Sequence, residues 1–117
     1  MATHNETGKR GEELAANYLK EKGYEIIERN YRWKRFEIDL IVKKEPFLVF
    51  VEVKTKTNTT FGYPEDDVTQ QKAKQVITAA EEFVYETGWK KEIRFDIVAV
   101  IIKGQSIEIE HIIDGFY

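Results

Sequence analysis

The chain has 117 residues, 42% of them hydrophobic, no cysteine and a formal charge of -3, with an isoelectric point near 5.5. That length suits one compact domain spanning residues 1–117, with no Pro/Gly/Ser-rich linker or internal repeat to divide it. The missing cysteines exclude a disulfide framework and a thiolate zinc site, and no stretch approaches the roughly 18 apolar residues of a membrane span.

Met1-Ala2-Thr3-His4-Asn5-Glu6 carries no apolar signal region, so a reducing cytoplasmic setting with no membrane partner is the expectation. Thr3-His4-Asn5-Glu6 has the spacing of a capping box and Gly23 is a stop, which predicts a helix over about residues 4–22. On a wheel of about 100° per residue, Leu14, Tyr18, Gly11, Ala15, Gly8 and Leu19 form an apolar or small arc with Glu12 at its border. Gly8 and Gly11 lower helix propensity, so the arc predicts a close approach to another backbone. Glu12 is either an ordinary flanking residue or a carboxylate that reaches a site beyond the helix.

Residues 24–32 read as a first strand with Ile26 and Ile27 buried. Arg29, Arg32, Lys34 and Arg35 then crowd together, interleaved with Tyr31 and Trp33. Two readings fit: an edge that contacts phosphates and stacks on bases, or a charged edge strand that deters aggregation. Lys54, Lys56, Lys72 and Lys74 would extend the positive rim. The acidic overall balance argues mildly against a nucleic-acid partner, but the charge is unevenly spread.

The next two apolar segments, 38–42 and 47–53, are separated only by Lys43-Lys44-Glu45-Pro46 and predict a β-hairpin. With its turn centred between Glu45 and Pro46, Asp39 faces Glu52 and Glu37 faces Lys54 on one side. Leu48, Phe50 and Ile41 share that side, while Ile38, Leu40, Val42, Val49, Val51 and Val53 take the other. A hairpin apolar on both faces is a covered, central one. Opposite charges across a ladder are common decoration. Two carboxylates beside a covered surface are costly, however, unless a cation or proton lies between them. Asp39 and Glu52 are hard oxygen donors of the kind Mg²⁺ takes one or two at a time. Lys54 would orient an attacking water or stabilise negative charge on a phosphorane.

Residues 55–65 are rich in Thr, Asn, Gly and Pro and read as a loop along which a substrate strand or partner chain would pass. A second helix is predicted over 67–87, capped by Asp66 or Asp67 and stopped by Gly88, with Val68, Ala73, Val76, Ile77, Ala80, Phe83 and Val84 as its stripe. Lys72 borders that stripe and either faces the site or snorkels over the core. Residues 93–102 and 106–113 predict an apolar strand and a more exposed last one. Asp96 reads as a structural partner for the neighbourhood of Arg94. Strands on both sides of a long helix predict an α/β fold with a right-handed crossover and a mixed central sheet flanked by helices.

The order, with Glu on the first helix, Asp and Glu-x-Lys on a hairpin and a helix after, resembles the PD-(D/E)XK superfamily and its restriction-endonuclease-like α-β-β-β-α-β(-β) core. Gly8 to Ala15, Tyr18-Leu19, Gly23-Tyr24, Arg29 to Arg32, Glu37 to Ile41, Val49 to Lys56 and Phe61-Gly62 are similar to the small bacterial YraN-type family of predicted endonucleases. Val68 and Lys72, Arg94 to Val98, His111-Ile112 and Phe116 are similar to its later segments, so the resemblance covers nearly the whole chain. Phe36 departs from it, standing where the family pattern usually has glycine. The resemblance implies Glu12, Asp39, Glu52 and Lys54 as the site, with archaeal Holliday-junction resolvases as structural relatives.

The resulting expectation is an endonuclease dependent on Mg²⁺ or Mn²⁺ and acting on DNA rather than RNA, structured or branched, with Asp39 and Glu52 on the metal. Arg29, Arg32, Lys34, Arg35, Lys56 and Lys72 would contact the nucleic acid. Cutting two strands needs two sites, so a homodimer is part of the expectation. The alternative is a nucleic-acid-binding or scaffold module that keeps the fold without the chemistry.

Overall fold

The computed structural model describes residues 4–57 and 69–116. Their order is α1 (His4–Glu21), β1 (Glu25–Trp33), β2 (Phe36–Lys44), β3 (Phe47–Lys56), α2 (Gln70–Thr87), β4 (Glu92–Lys103) and β5 (Ser106–Ile112). The five strands form one sheet in the order β1-β2-β3-β4-β5. Only β3 and β4, joined through α2, run parallel; the other neighbours are antiparallel. This is the mixed sheet and the α-β-β-β-α-β-β order that the sequence predicts.

Each helix covers one face. On one, Ala15, Ala16 and Leu19 of α1 pack on Leu40, Val42, Val49, Val51, Val98 and Val100. On the other, Val76, Ala79, Ala80 and Phe83 of α2 pack on Ile38, Ile41, Leu48, Phe50, Phe95 and Ile97. The central strands β3 and β4 therefore read as continuous apolar runs because both their faces are buried. Among the described residues no helix is long and apolar enough to cross a membrane.

Local chemistry sets the helix ends. Thr69 caps α2, its Oγ1 accepting from the Lys72 amide at 3.1 Å, so the helix starts later than predicted and neither Asp66 nor Asp67 is its cap. Gly88, at φ 70°, ends it with its amide on the Val84 carbonyl. The Thr3 end of the predicted capping box lies outside the described residues, as do Val68 and positions 58–65 of the predicted loop. Of the two glycines on the α1 arc, only Gly11 makes a close approach, and it is to a side chain rather than to the predicted backbone. A Cβ there would lie 2.8 Å from Cβ and Cγ2 of Thr55, whereas one at Gly8 meets nothing within 4 Å. α1 thus sits directly on the end of β3.

The β2–β3 hairpin has the predicted register, with Leu40 opposite Val51 and Lys44 opposite Phe47. Two details differ. Ile38 packs in the α2-side cluster with Ile41 and Phe50, not beside Leu40 and Val42. Its partner Tyr31 packs there too, while the neighbouring pair Arg29 and Leu40 faces α1. Side-chain alternation therefore reverses across Asn30 and Asp39, and Asn30 absorbs the change in a left-handed conformation, φ 50°, which Asn tolerates better than most residues. Ile27 is 36% exposed rather than buried, because the β1–β2 register shifts between Ile26 and Glu28. Phe36 packs at the α2-side cluster, its ring 6.3 Å from that of Trp33.

On β4, where it pairs with Val51, Asp96 is fully buried. Arg94 donates to it from Nε and Nη2 at 2.9 and 2.8 Å, His111 Nε2 lies 2.7 Å away, and the Asp114 amide donates at 3.1 Å. Arg94 also bonds the Tyr24 hydroxyl at 2.6 Å. Burial pushes the Asp96 carboxyl up, but the bonds from His111, Arg94 and the Asp114 amide outweigh it and hold the group below its ordinary range. Asp96 is thus the structural partner the sequence suggests, and it ties β4, β5 and the C-terminal segment together, with Arg94 linking them to Tyr24 just before β1.

Two measurements test this packing. Asp96→Asn leaves Arg94 and His111 on a neutral amide and is expected to lower unfolding free energy by about 3–5 kcal/mol in urea titrations; a loss within noise would show that the network does not hold the fold. Gly11→Ala and Gly8→Ala are expected to act with opposite sign. The first is destabilising by about 1–3 kcal/mol through overlap with Thr55, and the second stabilising by about 0.5–1 kcal/mol through helix propensity. Equal effects would contradict the close approach at Gly11.

Candidate active site

The β2–β3 ladder stops at Leu40–Val51, so the predicted Asp39–Glu52 and Glu37–Lys54 rungs do not form. Asp39 Oδ2 instead accepts from the Val53 amide at 2.8 Å, which places its carboxylate on the backbone of β3 directly after Glu52. Glu37 bonds Arg32, its neighbour on β1, at 2.9 Å. Beyond this point β3 is paired only with β4. Where the two central strands part, a cavity of about 330 Å³ opens, lined by Thr7, Gly8, Glu12, Asp39, Glu52, Val53, Lys54 and Thr55. The four predicted site residues meet there.

They arrive from both faces. Glu12 comes from α1, one residue after the glycine that seats the helix on Thr55. Glu52 lies between Val51 and Val53 of the α1-side core and reaches α2, where Lys72 Nζ is 3.7 Å from its Oε1. Lys54, two residues on along the same strand, holds its Nζ 3.9 Å from the same oxygen. Both separations are too long for a seated charge-assisted bond. Glu52 is 5% exposed, and its other oxygen, Oε2, is buried without a hydrogen-bond partner among the described residues.

Electrostatics follow from this crowding. Burial first, then the Asp39 charge, pushes the Glu52 carboxyl up to about 7 against the pull of Lys72 and Lys54. Asp39 is raised too, by burial foremost, with the Val53 amide and the Lys72 charge opposing. Glu12 is raised by burial and by its carboxylate neighbours Asp39 and Glu37. An orphaned buried oxygen beside a second carboxylate suits a hard divalent cation. Among the described residues no three acidic, histidine or cysteine groups are close enough to hold an ion together. A bound metal would therefore rest on two of these carboxylates, Asp39 and Glu52, and complete its shell from water and substrate.

The predicted nucleic-acid contacts divide. Lys72 belongs to the cavity's charge set. Arg29 is held by Glu13 of α1 at 2.9 Å and lines a separate cavity with Lys9, Glu12, Glu13, Asn30 and Leu40. Arg32 is 67% exposed despite its bond to Glu37. Lys34 and Arg35 form the exposed β1–β2 turn, where Lys34 Nζ lies 4.6 Å over the Trp33 ring. Because β2 begins opposite the end of β3, this basic turn extends from the same end of the sheet as the cavity. Lys56 closes β3, half-buried. Sequence reasoning missed Thr7 and Thr55 in the cavity wall and the Val53 amide that seats Asp39; a backbone donor leaves no mark in side-chain patterning.

Fold and cluster together define an α/β protein with a restriction-endonuclease-like order and a carboxylate–lysine set where its central strands part. A protein-family model described as Uncharacterised protein family UPF0102 matches residues 11–100. The chain belongs to that family, which is the YraN family of the sequence resemblance. A UPF0102 protein of Christiangramia forsetii is 45% identical over 117 residues, covering 100% of this chain and 98% of the relative. UPF0102 proteins of Flavobacterium psychrophilum and Bacteroides thetaiotaomicron are each 44% identical over the whole chain, covering 98% and 97% of their own lengths.

The Glu52 shift carries a pH signature. In the unfolded chain this carboxyl titrates near 4.5 and in the fold near 7, so between those values the folded state binds more protons. The stability contributed by protonated Glu52 is fully present below about 4.5 and is lost as pH rises through about 7. Without divalent metal, Glu52→Gln is expected to be more stable than wild type at pH 8, by on the order of 2–3 kcal/mol. The advantage should shrink toward pH 4.5 in chemical denaturation with a chelator present. A constant difference across that range would contradict the strained carboxylate.

Proposed function

We propose that this chain is a divalent-metal-dependent endonuclease that hydrolyses phosphodiester bonds in DNA, structured or branched. The observation that carries the proposal is Glu52: a buried carboxylate with one oxygen unpartnered among the described residues, a second carboxylate beside it and two ammoniums at its other oxygen. Asp39 and Glu52 would hold Mg²⁺ or Mn²⁺, which when bound lowers the pKa of a coordinated water and polarises the phosphate.

The chain's own residues supply the rest. The Val53 amide fixes the Asp39 carboxylate, removing rotational freedom from a ligand before metal arrives. Lys54, on the same strand as Glu52, would orient the attacking water or stabilise charge on the phosphate oxygens. Glu12 faces Asp39 across the cavity and would accept a hydrogen bond from a water in the outer shell. Arg32, Lys34 and Arg35 on the β1–β2 turn and Lys56 at the end of β3 would grip backbone phosphates on either side of the cut, and Trp33 would offer a stacking surface. A pair of such sites in a homodimer would cut two strands, and the cysteine-free chain fits a reducing cytoplasm.

Cleavage of labelled duplex, single-stranded, flapped and four-way-junction DNA, and of RNA, with Mg²⁺ or Mn²⁺ tests the reading. Wild type is expected to cut a DNA member of the panel, and Asp39→Asn to lose at least about a hundredfold in rate, the scale typical of losing one preorganised electrostatic group. An active Asp39→Asn protein would overturn the mechanism. Inactivity of both, with intact metal-independent binding, would identify a binding module instead.

A further inference from the structure

Two ammoniums lean on one oxygen of Glu52, and they are not equivalent. Lys54 shares a strand with Glu52 and its side chain is the more enclosed, 27% exposed against 37% for Lys72. Lys72 comes from the opposite layer, in the first turn of α2, with its backbone amide fixed by the Thr69 cap at 3.1 Å. Its anchor is therefore rigid while its side chain keeps its rotamers. It is the nearer cation, at 3.7 Å against 3.9 Å, and it pulls harder on both Glu52 and Asp39 than Lys54 does. Neither contact is closed, so the pair offsets the buried charge only in part and is easily exchanged for a better cation.

A divalent ion on Glu52 and Asp39 would neutralise the carboxylate that holds Lys72, and a half-exposed ammonium with no counter-charge seeks the nearest anion. For a side chain that already reaches Glu52, that anion would be a phosphate of a substrate bound at the metal. We propose that Lys72 couples metal binding to phosphate binding: it holds Glu52 in the metal-free protein and moves to a nucleic-acid phosphate once a divalent cation takes the carboxylate. Lys72 is thus a competitor of the metal and a ligand of the substrate. The inference rests on the metal-nuclease reading above, but two binding measurements test it without requiring cleavage.

The signs are what distinguish it. A Lys72→Gln protein is expected to bind Mn²⁺ alone about fivefold more tightly in calorimetry, because a cation about 4 Å from the ligand oxygen is gone. The same protein is expected to bind a phosphorothioate-linked DNA duplex about fivefold more weakly in the presence of Mn²⁺. The salt dependence of that binding should lose about one unit of slope, the mark of one phosphate contact. Lys72→Arg is expected to restore the slope. A merely structural lesion in α2 would weaken both ligands. Weaker or unchanged Mn²⁺ binding, or an unchanged salt slope, would overturn the role of Lys72 while leaving the nuclease reading intact. Opposite-signed changes in a wild-type background that cuts no member of the panel would retire the nuclease reading and keep the coupling. A wild-type protein that binds no Mn²⁺ would remove both.

Discussion

One hydrogen bond organises the molecule's functional end: the Val53 amide donating to Asp39. In an uninterrupted antiparallel hairpin the ladder would continue past Leu40–Val51 toward the strand ends. Substituting a side-chain acceptor for a backbone one satisfies Val53 while ending the ladder, so β2 and β3 are free to part. The parting creates the cavity, exposes the end of β3 to α1 on one face and α2 on the other, and leaves Asp39 between them. The reversal of alternation across Asn30 and Asp39 belongs to the same event, since it moves Ile38 to the α2-side core and leaves Asp39 at the changeover between faces.

The two cores then act as a vice. Helix α1 is held against β3 by the missing side chain at Gly11, which fixes how far Glu12 stands from the strand. Helix α2 is set by Val76, Ala79, Ala80 and Phe83 against Ile41 and Phe50, and its Thr69 cap fixes the turn that carries Lys72. Neither helix contributes a site residue from a loop. Packed elements hold the backbone anchors of these charged groups in place when the ionic state changes, and that rigidity is what a preorganised electrostatic site requires.

Much of this was legible because it depends on local rules. The register of the β2–β3 hairpin follows from a short polar turn between two apolar runs, and Glu12, Asp39, Glu52 and Lys54 line one cavity as the family resemblance implied, although the rungs that the spacing predicted do not form. What the sequence did not disclose depends on backbone events. A strict period of two put Ile38 beside Leu40, and nothing in Asn30 as a letter announces a left-handed residue. The Ile26–Glu28 register shift likewise turned Ile27 outward. Helix geometry alone left Lys72 between core and site, because the wheel fixes a direction and not which strand lies there. Thr69 was overlooked as a cap because two aspartates stand just before it.

The strongest argument that Glu52 is not a structural residue comes from comparing it with Asp96. Both are buried carboxylates on adjacent central strands. Asp96 is saturated: Arg94, His111 and the Asp114 amide all address it, and its carboxyl is held below the ordinary range. Glu52 has loose cations on one oxygen, none among the described residues on the other, and a carboxyl raised to about 7. The same fold therefore satisfies a buried acid fully where stability requires it and leaves another under-satisfied a short way along the sheet. A protein whose only need at Glu52 was stability would gain from an apolar residue there. The unpaid electrostatic cost is intelligible when a ligand that brings its own positive charge completes the site.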